Sequence, residues 1–334
     1  MNTGATPTRK KARVLCVDDE PNILRSLRWL LQKDFEVEVA ASGYDGLELL
    51  RQGEYDVVIS DQRMPGMIGS DFLREVRKVS PRSMRILLTG YSDPQSILKS
   101  VNESEVFRFV NKPWQFQELL KVVGDAARIA RDSPVTAPAV EPAPDEPVEM
   151  AGEAILVIDD DEDARRQIAE AIGPVTTLLY ARDLAEALLA MEQPVGIIVA
   201  NMRVGGVDAT RMIKLLKQQH PDIVALVYTD ATDSVDVISL INQAQVFRFM
   251  PKPVKPTTLR MALSAATLKR RALQADPSAR RRHTVEALDA AERQSLLADV
   301  QRVAQARPQG RTADGGSLLG RLGGGLKRLF GMAD

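Results

Sequence analysis

The stretch YDVVISDQRMPG (55–66) is a short apolar run, Val57–Ser60, that ends on an aspartate and a proline-glycine turn. A run of that length bounded by turn signals reads as a fully buried strand. Its carboxylate, Asp61, then falls at the strand's carboxyl end. Working outward from it, further apolar runs end on polar residues. VLCVDDE (14–20) places Asp18 and Asp19 after a strand, Arg85–Thr89 ends on Thr89, and Phe107–Val110 leads into Asn111 and Lys112. Between these runs, Pro21–Leu31, Gly46–Arg51, Asp71–Lys78, Pro94–Val101 and Phe116–Ala130 carry helical apolar spacing, and Glu36–Ala40 alternates as a strand. Five strands, each followed by a helix, imply a parallel sheet covered on both faces. In such sheets, sites form beyond the carboxyl ends of the strands, so Asp18, Asp19, Asp61, Thr89 and Lys112 are expected to converge.

The pattern occurs twice. ILVIDDDED (155–163) repeats the acidic block, VGIIVANMRVGG (195–206) the central one, and VFRFMPKPV (246–254) matches VFRFVNKPW (106–114) almost residue for residue. The order and spacing are kept over a period far too long for a solenoid repeat. Between the copies, residues 132–150 hold five prolines and no glycine, a composition that favours extended chain over a packed core. We therefore expect residues 1–12 disordered, one domain over 13–131, a linker over 132–152, a second domain over 153–272, and a helical or flexible basic tail over 273–334.

Composition narrows the functions available. The net charge of -1 gives no bulk attraction for polyanions, and 4% aromatic residues argue against a base-stacking surface. The lone Cys16 sits in an apolar run and reads as a small core residue in a reducing compartment. No secretory leader or run of ~20 apolar residues is evident, so a cytoplasmic protein is expected. Only two histidines, His220 and His283, occur, which disfavours a metal-dependent hydrolase.

Three carboxylates in one cleft repel each other. A hard divalent cation offsets that repulsion, and Mg²⁺ takes carboxylate, carbonyl and water oxygens. A carboxylate kept ionised beside a metal can attack phosphorus while a lysine neutralises the transferring charge. Taken singly, an acidic pair after a strand is ordinarily just solvated, a Lys-Pro is ordinarily a turn, Thr89 is a β-branched strand residue and Phe109 a core aromatic. The ordered set is what points to phosphoryl transfer.

That set, V-D-D, S-D-x-x-M-P-G, L-T-G and N-K-P-W, resembles the receiver domain of bacterial two-component response regulators, in full over about 13–131 and in degraded form over 153–272. The resemblance implies two flavodoxin-like (βα)5 doubly wound domains followed by a partly helical or disordered tail. It implies Asp61 as phosphoacceptor, with Mg²⁺ held by Asp19, Asp61 and the backbone carbonyl of Arg63, and by Asp18 through water. Lys112 would contact the phosphoryl group, Thr89 and Phe109 would form a switch pair, and the Lys112–Pro113 peptide is often cis in such domains. The implied partners are a histidine kinase or phosphotransfer protein, a downstream protein target, and a second copy through the first domain.

The second copy departs from this pattern. Asp159, Asp160, Thr229, Phe249 and Lys252 are kept, but Asn201 stands where Asp61 stands, and Val204-Gly205-Gly206 replaces Met-Pro-Gly. An amide is a poor nucleophile and brings one less charge to a metal. The expected reading is a pseudo-receiver, with Asp208 the nearest alternative carboxylate. In the tail, Leu319, Leu322, Leu326 and Phe330 fall on one helical face beside Arg321, Lys327 and Arg328. Frayed chain is the simplest reading, since Gly323–Gly325 disfavour helix; partner docking and anionic-membrane binding are the alternatives. No DNA-binding unit is recognisable, and no catalytic output motif follows the second copy. The sequence thus points to a phosphorelay protein that is not an enzyme and acts by protein–protein contact. The alternative is an adaptor acting through its tail at a membrane or on DNA.

Overall fold

A computed structural model describes residues 10–90, 97, 101–102, 104–132, 153–172, 177–230, 234–283 and 285–306. The chain forms two compact units, one of residues 1–92 with 103–138, the other of 93–102 with 139–334.

In the first unit the order is β1 (Ala12–Val17), α1 (Pro21–Leu31), β2 (Phe35–Ala40), α2 (Gly43–Gln52), β3 (Val57–Asp61), α3 (Gly69–Val79), β4 (Met84–Thr89), β5 (Arg108–Asn111) and α4 (Phe116–Asp132). The five strands are parallel, in the order β2-β1-β3-β4-β5. This is the doubly wound flavodoxin-like order. Strands β3 and β4 are buried along their whole length, as expected where helices cover both faces. Edge strand β2 instead carries Glu36 and Glu38, which pair with Arg13. Helix α1 opens on Pro21 in its first turn and turns Leu24, Leu27, Leu30 and Leu31 into the core. Helix α2 starts three residues earlier than its apolar spacing suggested, because the Ser42 hydroxyl caps it by accepting from the Asp45 N–H at 3.1 Å. The helix expected over Pro94–Val101 lies largely outside the described residues.

The second unit repeats the plan: β6 (Ala154–Ile158), α5 (Glu162–Ile172), β7 (Leu178–Ala181), α6 (Leu184–Ala190), β8 (Val195–Asn201), a small hairpin of β9 (Arg203–Val204) and β10 (Val207–Asp208), α7 (Ala209–Gln219), β11 (Val224–Thr229), α8 (Ser234–Ala244), β12 (Arg248–Pro251) and α9 (Pro256–Ala275). Its parallel sheet runs β12-β11-β8-β6-β7, the same order traced from the other edge. The hairpin turns on Gly205 and Gly206, at φ +58° and +76°, where a side chain would be strained.

Beyond α9 come α10 (Pro277–Arg282) and α11 (Ala290–Ala306). The tail expected to be helical or flexible is helical over both of these stretches. Val285 and Leu288 precede α11, which begins only after Asp289. There Asp289 Oδ1 accepts from the Glu292 N–H at 2.7 Å while Glu292 Oε2 accepts from the Asp289 N–H at 2.8 Å, a reciprocal capping box. Val285, Leu288, Leu296 and Val300 are nevertheless all buried, and α11 lies on α6 and α7. Glu292 grips the Lys214 ammonium with both oxygens at 2.9 Å. The linker over 132–152 and the amphipathic stretch Leu319–Phe330 fall outside the described residues, apart from Asp132. Among those residues no helix is long and apolar enough to cross a membrane.

Since Leu296 is fully buried on α11, which lies on α6 and α7, Leu296→Ala is expected to destabilise that packing by about 2–4 kcal/mol. Hydrogen exchange on the full chain would show it as faster exchange in 184–219 with 57–61 unchanged.

Candidate functional site

Strands β1, β3 and β5 deliver Asp18, Asp61 and Lys112 to one edge of the first sheet. Asp18 is wholly buried and Asp61 nearly so, at 6% exposure. The Lys112 ammonium lies between them, 2.9 Å from Asp18 Oδ2 and 2.6 Å from Asp61 Oδ1. The remaining carboxylate oxygens are satisfied from the backbone: Asp18 Oδ1 accepts from the Glu20 N–H at 2.9 Å, and Asp61 Oδ2 from the Arg63 N–H at 2.6 Å. Burial raises the Asp18 pKa, and Lys112 and the Glu20 N–H offset that only in part. Burial pulls the Lys112 ammonium down, but the two carboxylates together outweigh it and raise its pKa.

Thr89 ends β4 fully buried, and its carbonyl accepts from the Lys112 N–H at 2.7 Å, fixing the start of the lysine loop. Phe109 is buried on β5 opposite Leu87. Asp19, next to Asp18, is exposed, and among the described residues no three acidic or histidine side chains gather as a metal cluster. The structure thus unites Asp18, Asp61 and Lys112, with Thr89 beside them in the backbone pairing, and leaves Asp19 at the rim. Asp18, Asp61, the rim carboxylate of Asp19 and the backbone at Arg63 bring oxygen donors of the kind a hard divalent cation takes to this edge, where the Lys112 ammonium is the counter-charge.

Two residues holding this site escaped the sequence reading. Gln62, buried after Asp61, staples the loop: its Oε1 accepts from the Ser70 N–H at 3.0 Å and its carbonyl from the Gly69 N–H at 3.0 Å. Gly69 is required there, because a Cβ would stand 2.0 Å from the Asp61 carbonyl oxygen. Neither carried a chemical signature; only their position in the loop after Asp61 marked them. Cys16 is buried under this site, and burial lifts its thiol to about 12, consistent with a core role.

The equivalent edge of the second unit is wired differently. Asp159 is fully buried, like Asp18, and receives the Asp161 N–H at 3.0 Å, as Asp18 receives that of Glu20. Its other partners are new. Asn201 donates its amide to Asp159 Oδ1 at 3.2 Å, and the Tyr228 hydroxyl donates to Oδ2. Tyr228 stands where the first unit has Leu88, a difference readable as LLTG against VYTD but without meaning until the ring's place was known. Burial and the neighbouring carboxylate push the Tyr228 pKa far up, so its proton stays on. Lys252 makes no bridge of the Lys112 kind; its ammonium lies over the Tyr228 ring, 5.1 Å from the centroid. Asp160 accepts from the Gly205 N–H at 3.1 Å, and the Thr229 hydroxyl reaches Met202 sulfur at 3.2 Å. Asp208 caps α7 by accepting from Thr210. Lys112–Pro113 and Lys252–Pro253 are both cis.

The response regulator receiver domain family matches the chain at residues 14–124 and again at 155–264. The hydrogenase transcriptional regulatory protein HoxA of Cupriavidus necator is 38% identical over 117 residues, 35% of this chain and 24% of that protein. The transcriptional regulatory protein GlrR of Escherichia coli is 34% identical over 131 residues, 39% of this chain and 29% of that protein. The chain therefore spans only about a quarter of the length of these relatives. A signal receiver domain of an HD domain-containing protein from Pseudomonas fluorescens matches 39% of this chain and 96% of its own length, at 33% identity and a TM-score of 0.37.

Since burial raises the Asp18 pKa, the folded state holds that proton more tightly than the unfolded chain. The contribution of this carboxyl to stability is then greatest below the unfolded value of ~3.9 and is lost as pH rises through the folded one. Asp18→Asn removes that loss, so thermal melts should show the variant gaining more over wild type at neutral pH than near pH 4.

Proposed function

This chain belongs to the response regulator receiver family, and on that premise we propose that Asp61 is its phosphoryl acceptor. The observation that carries the reading is the Lys112 ammonium held between two buried carboxylates. Receiver domains are phosphorelay signalling modules, and this chain contains two.

In this mechanism, Asp18, Asp19, Asp61 and the Arg63 backbone carbonyl would hold Mg²⁺, which supplies positive charge against the transferring phosphoryl oxygens. An Asp61 carboxylate oxygen attacks phosphorus on a phosphohistidine donor. The new O–P bond forms as the P–N bond breaks, and the donor imidazole leaves with the electron pair. Lys112 is already within 2.6 Å of Asp61 and needs only a side-chain swing to meet the phosphoryl oxygens. The Thr89 hydroxyl then bonds the new phosphoryl group, and Phe109 moves with it. That rearrangement alters the first unit's surface toward a protein partner or a second copy.

The second unit has no equivalent acceptor. Asn201 cannot form the acyl phosphate, and Asp159, the nearest buried carboxylate, is held by Tyr228 and Asn201. We read this unit as a pseudo-receiver serving as scaffold or listener, and the whole chain as a cytoplasmic signalling protein rather than an enzyme. HoxA and GlrR are named transcriptional regulators, but only about a quarter of each is matched, so DNA control is not carried over.

Acetyl phosphate with Mg²⁺, followed by intact mass, tests the assignment. Wild type should gain one phosphoryl group, Asp61→Asn none, and Asn201→Ala one as in wild type. A second adduct, or one surviving in Asp61→Asn, would contradict it.

A further inference from the structure

The second unit has a cavity of about 310 Å³ beside α5, where α9 and the Lys252–Val254 loop face it. Its apolar lining includes Ala164, Ile168, Ala171, Val254 and Leu259, and its polar lining is Tyr228, Lys252, Gln167, Asp161 and Asp163. The duplication explains the space. The two units align through Asp18 with Asp159 and through Lys112 with Lys252, which pairs Ile23 with Ala164, Leu30 with Ala171 and Trp114 with Val254. In the first unit Leu30 belongs to the core cluster, and Ile23 and Trp114 pack against it. All three partners in the second unit are smaller, and all three line the same slot. Leu119 and its counterpart Leu259 are both buried, so the floor is kept while the filling is removed.

Charge at the cavity is equally specific. Asp161 is engaged as the cap of α5, with Oδ1 accepting from the Asp163 N–H at 2.9 Å, and Asp163 pairs with Arg166 at 3.4 Å. Lys252 has lost both partners its counterpart holds: Asn201 is neutral, and Asp159 is taken by Tyr228 and Asn201. Among the described residues it has no carboxylate in ion-pair contact, only the Tyr228 ring. The result is a largely apolar slot whose lining carries one half-buried ammonium without an ion-pair partner among the described residues, beside two engaged carboxylates.

We propose that this cavity binds a compact organic carboxylate, with its apolar body between α5 and α9 and its anionic head at Lys252. A cavity of roughly 150 Å³ takes benzene, so the ≈ 310 Å³ here suits an aryl or short alkyl acid of about twice that size. The site would give the second unit a chemical input of its own in place of a phosphoryl group, and it does not depend on Asp61 being the acceptor.

The test uses the full chain and two probes, 3-phenylpropionate and its neutral analogue 3-phenylpropanol, titrated by calorimetry. The acid should bind saturably at one site and at least about threefold more tightly than the alcohol. Refilling the slot with the first unit's residues, Ala171→Leu with Val254→Trp, should weaken the acid at least about tenfold, which is ~1.4 kcal/mol. Lys252→Met should abolish the preference for acid over alcohol. Circular dichroism checks that each variant is folded; if the double variant is not, Ala164→Ile alone serves as the filling variant. No saturable binding, unchanged affinity in the folded filling variant, or an acid preference that survives Lys252→Met would each overturn the proposal.

Discussion

Two carboxylates buried at the edge of one sheet cannot both stay charged without a cation between them. The Lys112 ammonium supplies it, at 2.9 Å from Asp18 and 2.6 Å from Asp61. Much of the first unit's local architecture serves that arrangement. Strands β1, β3 and β5 end where the three side chains meet, the Thr89 carbonyl anchors the lysine loop, and Gln62 and Gly69 close the loop after Asp61 without crowding its backbone. Under the proposed function, Lys112 would exchange a carboxylate for a phosphoryl oxygen, since both are anionic oxygen acceptors within reach of one flexible stem.

In the second unit one of those charges is gone. With Asn201 in place of an aspartate there is one buried carboxylate to satisfy, and neutral donors suffice. Asn201 and Tyr228 provide them, and Lys252 is released to the Tyr228 face. A buried carboxylate needs donors whatever their charge, so the fold persists while the site's chemistry changes. Loss of bulk at Ala164, Ala171 and Val254 then leaves an open slot beside the freed lysine.

Much of this was legible in the sequence. Buried parallel strands read as continuous apolar runs, and helices betray themselves by spacing, so the five-strand plan and its duplication could be read from Val57–Ser60 and its neighbours. Asp18, Asp61, Thr89 and Lys112 were visible because each ends a strand or directly follows one. Gln62, Gly69 and Tyr228 were not: their roles depend on what lies a few ångströms away across the chain, and no local pattern encodes that. Nor was the placing of α11 legible: its start after Asp289 depends on a side-chain cap, and its burial on α6 and α7 on which helix faces were still uncovered.

The sequence by itself determined the order of strands and helices, their duplication, and the replacement of an aspartate by Asn201, because periodicity and residue type are local properties of the chain. Only the tertiary structure decided which charges neutralise one another. Lys112 and Asp18 are 94 residues apart and meet at 2.9 Å, whereas Lys252 and Asp159 share the same spacing pattern and do not pair. That difference turns on Tyr228 and Asn201, which reach Asp159 first. Competition among donors for one buried acceptor is settled by distances in the folded sheet, and the linear chain does not contain them.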